Sequence, residues 1–198
     1  AALSMGVVKK DAGGALAEKF ASRLHMPLLN LNEIDSPEEL AAAVRDAGEK
    51  LGQRLAAEAY VEAGLRDYQN KRAAAQRILT GKRCLVAAGL PFQIFQPHGI
   101  LRWLKSLDLA VRGFFLPSIV SEARRKEYQA FTAAEYPEMI CCEPGAEETA
   151  ADFLGTTGET ETHLPQFRLL PQHFTFAGWG DEAARLAAFL AGGVSRGA

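Results

Sequence analysis

Short apolar runs alternate with helical patterns along this chain of 198 residues. The clearest run, Cys84-Leu85-Val86-Ala87-Ala88-Gly89, contains no charged side chain, as is typical of a strand that is buried on both faces. Parallel strands need crossover connections, and the helical segments between the runs supply them. The alternation therefore predicts an α/β fold with Rossmann-like parallel sheets flanked by helices.

The same pattern predicts the individual elements. Strands are expected over residues 1–8, 28–31, 84–89, 109–116 and 139–142. Single helices are expected over residues 15–24, 117–131, 146–154 and 181–190, and a further helix is expected to end near residue 106. Two consecutive helices are expected between residues 36 and 79, with a break near residues 48–52. Residues 155–173 are expected to form the longest loop. The chain is thus predicted to contain a partial Rossmann-like lobe (1–52), a long connecting helix (53–80) and a second Rossmann-like lobe (81–198).

Charge and cysteine content exclude several classes of protein. The 22 basic and 24 acidic residues nearly balance, so neither nucleic acid nor an anionic membrane surface is an expected partner. No run of 18 apolar residues predicts a membrane span. Only three cysteines are present and two are adjacent, so no disulfide framework is expected and a cytoplasmic setting fits best. The apolar run at residues 3–8 is typical of a strand already in progress, as in a piece of a longer chain.

Motifs that would identify a catalytic site are absent from the sequence: it contains no GxGxxG, GxxxxGK[ST], HExxH, CxxC or GxSxG. No catalytic residue is therefore assigned. Cys141 and Cys142 are adjacent in a predicted strand, where neighbouring side chains point to opposite faces, so they are interpreted as buried apolar groups and not as metal ligands.

The favoured binding site is the loop after the run that ends at Gly89, because open α/β sheets bind ligands beyond the carboxyl ends of their strands. The predicted ligand-binding residues are Gly89, Gln93, Gln96, His98 and Ser118. His98 could donate a proton, ligate a metal or cap a helix. A single histidine without an acidic partner is more often structural, so both interpretations stay open.

Several blocks of residues follow one another in an order that resembles a known family. They are Leu16-Ala17-Glu18-Lys19-Phe20, His25-Met26-Pro27-Leu28-Leu29, Lys71-Arg72, Gly81-Lys82-Arg83-Cys84-Leu85-Val86, Pro91 and Trp103-Leu104-Lys105-Ser106-Leu107. Over about residues 3–117 the chain resembles the C-terminal two-thirds of a subunit of the nitrogenase component 1 family. The family includes nitrogenase subunits, a cofactor-assembly scaffold and the dark-operative protochlorophyllide and chlorophyllide reductases.

The resemblance implies stacked Rossmann-like domains in a homo- or hetero-oligomer. It also implies an iron-sulfur or related metal cluster shared with partner chains, and electrons supplied by an ATP-dependent reductase. Residues 1–11 lack the cysteine that binds the catalytic cofactor in nitrogenase itself, so the chain is not expected to be catalytic alone. The alternative is a non-catalytic α/β module for small-molecule binding or oligomerisation.

Two structural expectations follow from the residues themselves. The strands 84–88 and 109–115 should lie side by side and parallel, with Leu85, Val86, Val111 and Phe115 buried. An interface is expected because the chain carries many large apolar groups for one modest core: Trp103, Phe114, Phe115, Phe174, Phe176 and Trp179.

Overall fold

The computed structural model describes residues 2–4, 19, 22–24, 28–30, 34, 36–87, 97–115, 121–142, 151–157, 162–169 and 175–192. The chain divides into two compact units, the first formed by residues 1–72 and 172–181 and the second by residues 73–171 and 182–198. The three-part division of the chain into two lobes and a connecting helix stays a prediction. Within the described ranges, no helix is both long and apolar enough to cross a lipid bilayer.

In the first unit, strands β1 (Ala2–Ser4) and β2 (Leu28–Asn30) pair in parallel. Helix α1 (Pro37–Lys50) begins where the sequence predicts, because the Ser36 hydroxyl accepts a hydrogen bond of 3.1 Å from the Glu39 amide and a proline occupies the first turn. Helix α2 (Arg54–Leu79) follows after the predicted break, and its residues from Ala73 onward belong to the second unit. Among the described residues of this unit, the core cluster consists of Ile34, Leu40, Ala41, Val61 and Phe176.

The second unit contains a five-stranded sheet in which all pairs are parallel. Its strands are β3 (Arg83–Ala87), β4 (Ala110–Phe115), β5 (Ile140–Cys142), β6 (Phe153–Thr156) and β7 (Gln166–Arg168), in the spatial order β5-β4-β3-β6-β7. Helix α3 (Pro97–Ser106) connects β3 to β4, and helix α4 (Glu122–Glu135) connects β4 to β5. Helix α5 (Phe176–Ala191) follows β7, and its residues up to Asp181 belong to the first unit. The predicted α/β fold with a parallel sheet and helices is confirmed.

The expected pairing of β3 with β4 is confirmed, and so is the burial of Leu85, Val86 and Phe115. The expectation for Val111 is wrong, because its side chain is only half-buried. The pairing shifts register here: Cys84 faces Val111, but Leu85 faces Gly113, so one extra residue of β4 is accommodated. Such a bulge changes which side chains point into the core, and full burial begins only beyond it.

Two predictions for residues 146–173 are wrong. Residues 153–156 form strand β6, where the predicted helix ends and the predicted loop begins, and residues 166–168 form β7 inside that loop. The four residues of β6 are all buried, and a short apolar run of this kind fits a buried strand as well as a helix segment. Residues 153–156 form a strand because they pair with β3 on one side and with β7 on the other.

Helix α4 also differs from its predicted bounds of 117–131. It begins at Glu122, after a Ser121 carbonyl that accepts a hydrogen bond from the Arg125 amide, and it ends at Glu135. The longer end is held by α3: Arg102 donates two hydrogen bonds to the Glu135 carboxylate, and the Lys105 ammonium lies 4.9 Å from the centre of the Tyr136 ring. These contacts stabilise a last turn that the hydrophobic pattern alone does not predict.

The aromatic residues expected at an interface are core residues instead. Trp103, Phe114, Phe115, Phe176 and Trp179 are all 5% exposed or less, and Phe174 lies outside the described residues. Large aromatic side chains supply much of the buried apolar area in cores as well as in interfaces, so their number alone does not indicate an interface. The five described aromatic residues are therefore core residues and do not indicate an interface.

Gly81 lies just past the end of α2, as the sequence predicts, and its backbone conformation allows this helix end to be tested. Gly81 has φ +79°, and a Cβ placed there would meet nothing within 4 Å. We expect Gly81→Ala to lower the free energy of unfolding by about 1–2 kcal/mol, because the left-handed conformation strains a side-chain-bearing residue. Urea unfolding measures the loss. Gly81→Asn should cost less, since asparagine tolerates this conformation; equal stability of all three proteins would contradict the assignment.

Candidate functional site

The strand order of the second unit creates a point at which successive connections leave in opposite directions. From β3 the chain moves to β4 and then β5 on one side, whereas β6 and β7 lie on the other side of β3. The switch point therefore lies between the neighbouring strands β3 and β6, at their carboxyl ends. Ligands of open α/β sheets bind at such a switch point, so these strand ends form the candidate site.

The last residues of β3 and β6 form the floor of the candidate site. Ala87 and Thr156 are register partners and are 5% and 3% exposed. The Thr157 amide donates a hydrogen bond of 3.3 Å to the Ala87 carbonyl, and the Leu169 amide donates one of 2.8 Å to the Thr156 carbonyl. These bonds hold the two strand ends in a fixed register. The floor therefore consists of two small, buried side chains held in register, without a charged side chain between them.

An apolar cluster supports this floor from within the sheet. Leu85, Ala87, Phe115 and Leu154 pack together, with Leu164 against them. Gly155 lies in β6, and a Cβ at this position would come to 2.8 Å from the Leu169 Cδ1. The chain thus needs a glycine at this position to let the residues after β7 pack against β6.

In the sequence, the predicted site residues follow strands β3 and β4. His98 lies in the first turn of α3, the helix that follows the loop after β3. Its side chain lies outside the described part of the structure, as do Gly89, Gln93, Gln96 and Ser118. Their role in ligand binding stays a prediction.

Sequence reasoning missed Thr156 and Thr157, because it placed them in a loop. A signal was present: Phe153-Leu154-Gly155-Thr156 is a short apolar run that ends in small residues, like the run at residues 84–89. The charged and threonine-rich residues after it obscured the strand, since a four-residue strand has little periodicity of its own.

Cys84 lies near the other end of β3 and is fully buried. Burial raises the pKa of its thiol to about 12, with a smaller contribution from the nearby Asp152 carboxylate. The thiolate is the nucleophile and the metal-binding form of cysteine, so this side chain is suited to neither role at neutral pH.

The raised pKa predicts how Cys84 reacts. Iodoacetamide at pH 8 should leave Cys84 unmodified in the folded chain and alkylate it in urea, as read from peptide masses. Because the folded pKa is raised from 9.0 to about 12, the thiol favours the folded state fully below pH 9, and that contribution is lost as the pH rises toward 12. Rapid alkylation of Cys84 in the folded chain would contradict the burial.

The described residues do not provide a ligand set for a metal cluster. Among them, no three His, Cys, Asp or Glu side chains come together in a way that could hold a metal ion. Cys84 is buried and protonated, and Cys141 and Cys142 belong to the edge strand β5. A cluster held by the described residues of this chain alone does not fit this arrangement.

Known structures provide an independent comparison. Neither a protein-family model nor a curated protein matches the chain. A solved structure of nitrogenase Cp1 at pH 5 matches 91% of this chain with a TM-score of 0.53 and 14% sequence identity. A structure of nitrogenase Cp1 at pH 6.5 matches 91% with a TM-score of 0.54 and 12% identity. The chain spans 45% and 47% of those chains, so just under half their length. At this level of identity the comparison establishes a nitrogenase-like fold.

Proposed function

We propose that this chain is part of a nitrogenase-like metal-cluster reductase, or of a scaffold that assembles such a metallocofactor. It contributes pocket and subunit-contact surface and is not catalytic alone. The observation that carries the proposal is the fold shared with nitrogenase Cp1 over 91% of the chain. The switch point between β3 and β6 supports it, because this topology provides a crevice for a bound group.

The proposed pocket lies above the ends of β3 and β6. Gly89 would let a ligand approach the backbone, and Gln93, Gln96 and Ser118 would supply polar contacts. His98 would orient the ligand or transfer a proton. Since the described residues offer no ligand set, an iron-sulfur or related cluster seated in this pocket would take its ligating side chains from elsewhere in the assembly. When bound, such a cluster supplies one-electron transfer, and an ATP-dependent reductase would be the electron donor.

The experiment that tests this proposal is a metal analysis of the chain in its native assembly. The full chain, tagged and purified without oxygen from its own cells, is analysed for iron and acid-labile sulfide, and its visible absorption spectrum is recorded. We expect both elements in the purified assembly, with visible absorption that dithionite bleaches. An assembly without iron and sulfide would overturn the proposal.

A second candidate function is favoured by the absence of a metal-ligand group among the described residues and by the protonated state of Cys84. In this alternative the chain binds a small organic molecule at the same crevice and performs no reaction. Native mass spectrometry of the same preparation distinguishes the two. An organic ligand on an iron-free chain would support the alternative. The cytoplasmic setting stays a prediction in either case.

A further inference from the structure

Exposed apolar side chains concentrate at the turn between α1 and α2. Leu51 is 47% exposed and Leu55 is 87% exposed, and they stand on either side of Gly52, whose φ is +67°. Single exposed leucines are common on protein surfaces. Two at one tight turn, one of them almost fully exposed, form a small apolar centre on the first unit.

A charged cleft of about 500 Å³ borders this turn. Its lining consists of Arg45 and Glu49 from α1 with Arg54 and Glu58 from α2, and so contains two cations and two anions. Arg45 donates hydrogen bonds of 2.8 Å from Nε and from Nη2 to the Glu58 carboxylate, which lowers the pKa of Glu58 and keeps that carboxylate ionised. The charge of Arg54 also helps to lower the pKa of Glu58, but in the described part of the chain neither Glu49 nor Arg54 forms a salt bridge like that of Arg45 with Glu58.

The turn is held in one conformation before any partner arrives. A Cβ on Gly48 would lie 2.3 Å from the Ala57 Cβ, so the two helices approach each other closely. The Gln53 amide donates a hydrogen bond of 2.7 Å to the Gly48 carbonyl, and the Leu51 amide donates one of 3.0 Å to the Ala47 carbonyl. A contact made by a preformed surface loses little conformational entropy on binding.

We propose that this hairpin tip, defined by Leu51 and Leu55 with Glu49 and Arg54, binds a second copy of this chain across a two-fold axis. The lining carries both charge signs, so a two-fold axis that sets Arg54 of one copy opposite Glu49 of the other also forms the reverse pair. A partner of one charge sign would be repelled by half of the lining. An apolar centre with a charged rim is the ordinary arrangement of a protein interface.

The proposal does not depend on a bound cluster, so it can fail or succeed separately from the proposed function. Because only two exposed leucines and two charged side chains define the contact, we expect a weak and concentration-dependent dimer. Sedimentation equilibrium of the full chain should therefore show monomer and dimer in exchange. Leu55→Asp should raise the dimer dissociation constant roughly tenfold or more, since a charge replaces the apolar centre. Ile78→Asp is the matched control: Ile78 is 40% exposed on the same helix, and its replacement should leave the dissociation constant unchanged.

A mixing experiment tests the charge pairing. Glu49→Arg alone places like charges opposite each other across the axis, and Arg54→Glu alone does the same with the other sign, so each variant should be monomeric. A one-to-one mixture of the two variants restores both opposite-charge pairs and should form a heterodimer. A pairing within one chain cannot produce this rescue. Far-UV circular dichroism checks that each variant is folded.

Three results would overturn the proposal. The first is a wild-type chain that stays monomeric at the highest concentration reached. The second is a dimer whose dissociation constant is unaffected by Leu55→Asp. The third is a mixture of the two charge variants that stays monomeric.

Discussion

Gly64→Ala is expected to lower the free energy of unfolding by about 1–3 kcal/mol, although alanine is the better helix former. Gly64 lies within α2, and a Cβ there would come to 2.1 Å from Cδ2 and 2.6 Å from Cγ of Phe176. The Phe176 ring is 2% exposed and belongs to the core of the first unit, so it cannot move aside freely. Overpacking therefore outweighs the gain in helix propensity, which is about 1 kcal/mol.

The two tryptophans allow this effect to be measured in the unit concerned. Trp179 belongs to the first unit and Trp103 to the second, and both are buried. Urea unfolding followed by fluorescence in a Trp103→Phe background reports on the first unit alone. The control is the double variant Gly64→Ala with Phe176→Ala, which is compared with Phe176→Ala alone. Without the ring, the added methyl group should leave the free energy of unfolding unchanged or raise it. The same loss with and without the Phe176 ring would contradict the clash.

Leu85→Ala should destabilise the second unit by about 2–5 kcal/mol. Leu85 is fully buried in β3, the central strand of the five-stranded sheet, and packs in the cluster beneath the candidate site. Its truncation leaves a cavity that neighbours on both sides cannot fill. Unfolding is followed by Trp103 fluorescence in a Trp179→Phe background.

Val111→Ala is the matched control for this cavity, because Val111 pairs with β3 but is only half-buried at the bulge of β4. We expect it to cost about 1 kcal/mol, since two partly buried methyl groups are removed. Losses of equal size for Leu85→Ala and Val111→Ala would show that the assignment of the core is wrong.

Elements with strong local signals could be predicted from the sequence. The start of α1 follows from Ser36 and Pro37, the end of α2 from Gly81, and β3 from an uninterrupted apolar run. In each case the residues that specify the element are adjacent in sequence, so short-range capping and turn rules suffice. The parallel pairing of β3 and β4 then follows from one intervening helix.

Elements that depend on distant contacts could not be predicted. Strand β6 exists because β3 and β7 pair with it, and the bulge that exposes Val111 appears only when β3 and β4 are in register. Helix α5 begins at Phe176, five residues before its predicted start at residue 181. Its first turn is capped by Thr175, whose hydroxyl accepts a hydrogen bond from the Gly178 amide. Gly178 and Gly180 are poor helix formers, so the sequence did not indicate a helix start at Thr175.

The site predicted in the loop after β3 stays a prediction, and the sequence did not indicate that β6 lies beside that strand. The loop after β3 was favoured because strands end there, and the strand order now places the switch point at the same end of β3. Thr156 was missed because its strand was missed. Which side chains meet across a crevice depends on the order of strands in the sheet, and that order is set by packing between segments distant in sequence.

The most direct test of the central claim is hydrogen exchange in the oxygen-free assembly before and after an iron chelator removes its metal. The account predicts faster exchange after removal in peptides that cover residues 87–98 and 153–157, because a bound group at the switch point would protect both strand ends. Peptides that cover α1 serve as the internal control and should be unchanged. Unchanged exchange at both strand ends after the iron is removed would contradict the claim that the crevice between β3 and β6 holds the bound group.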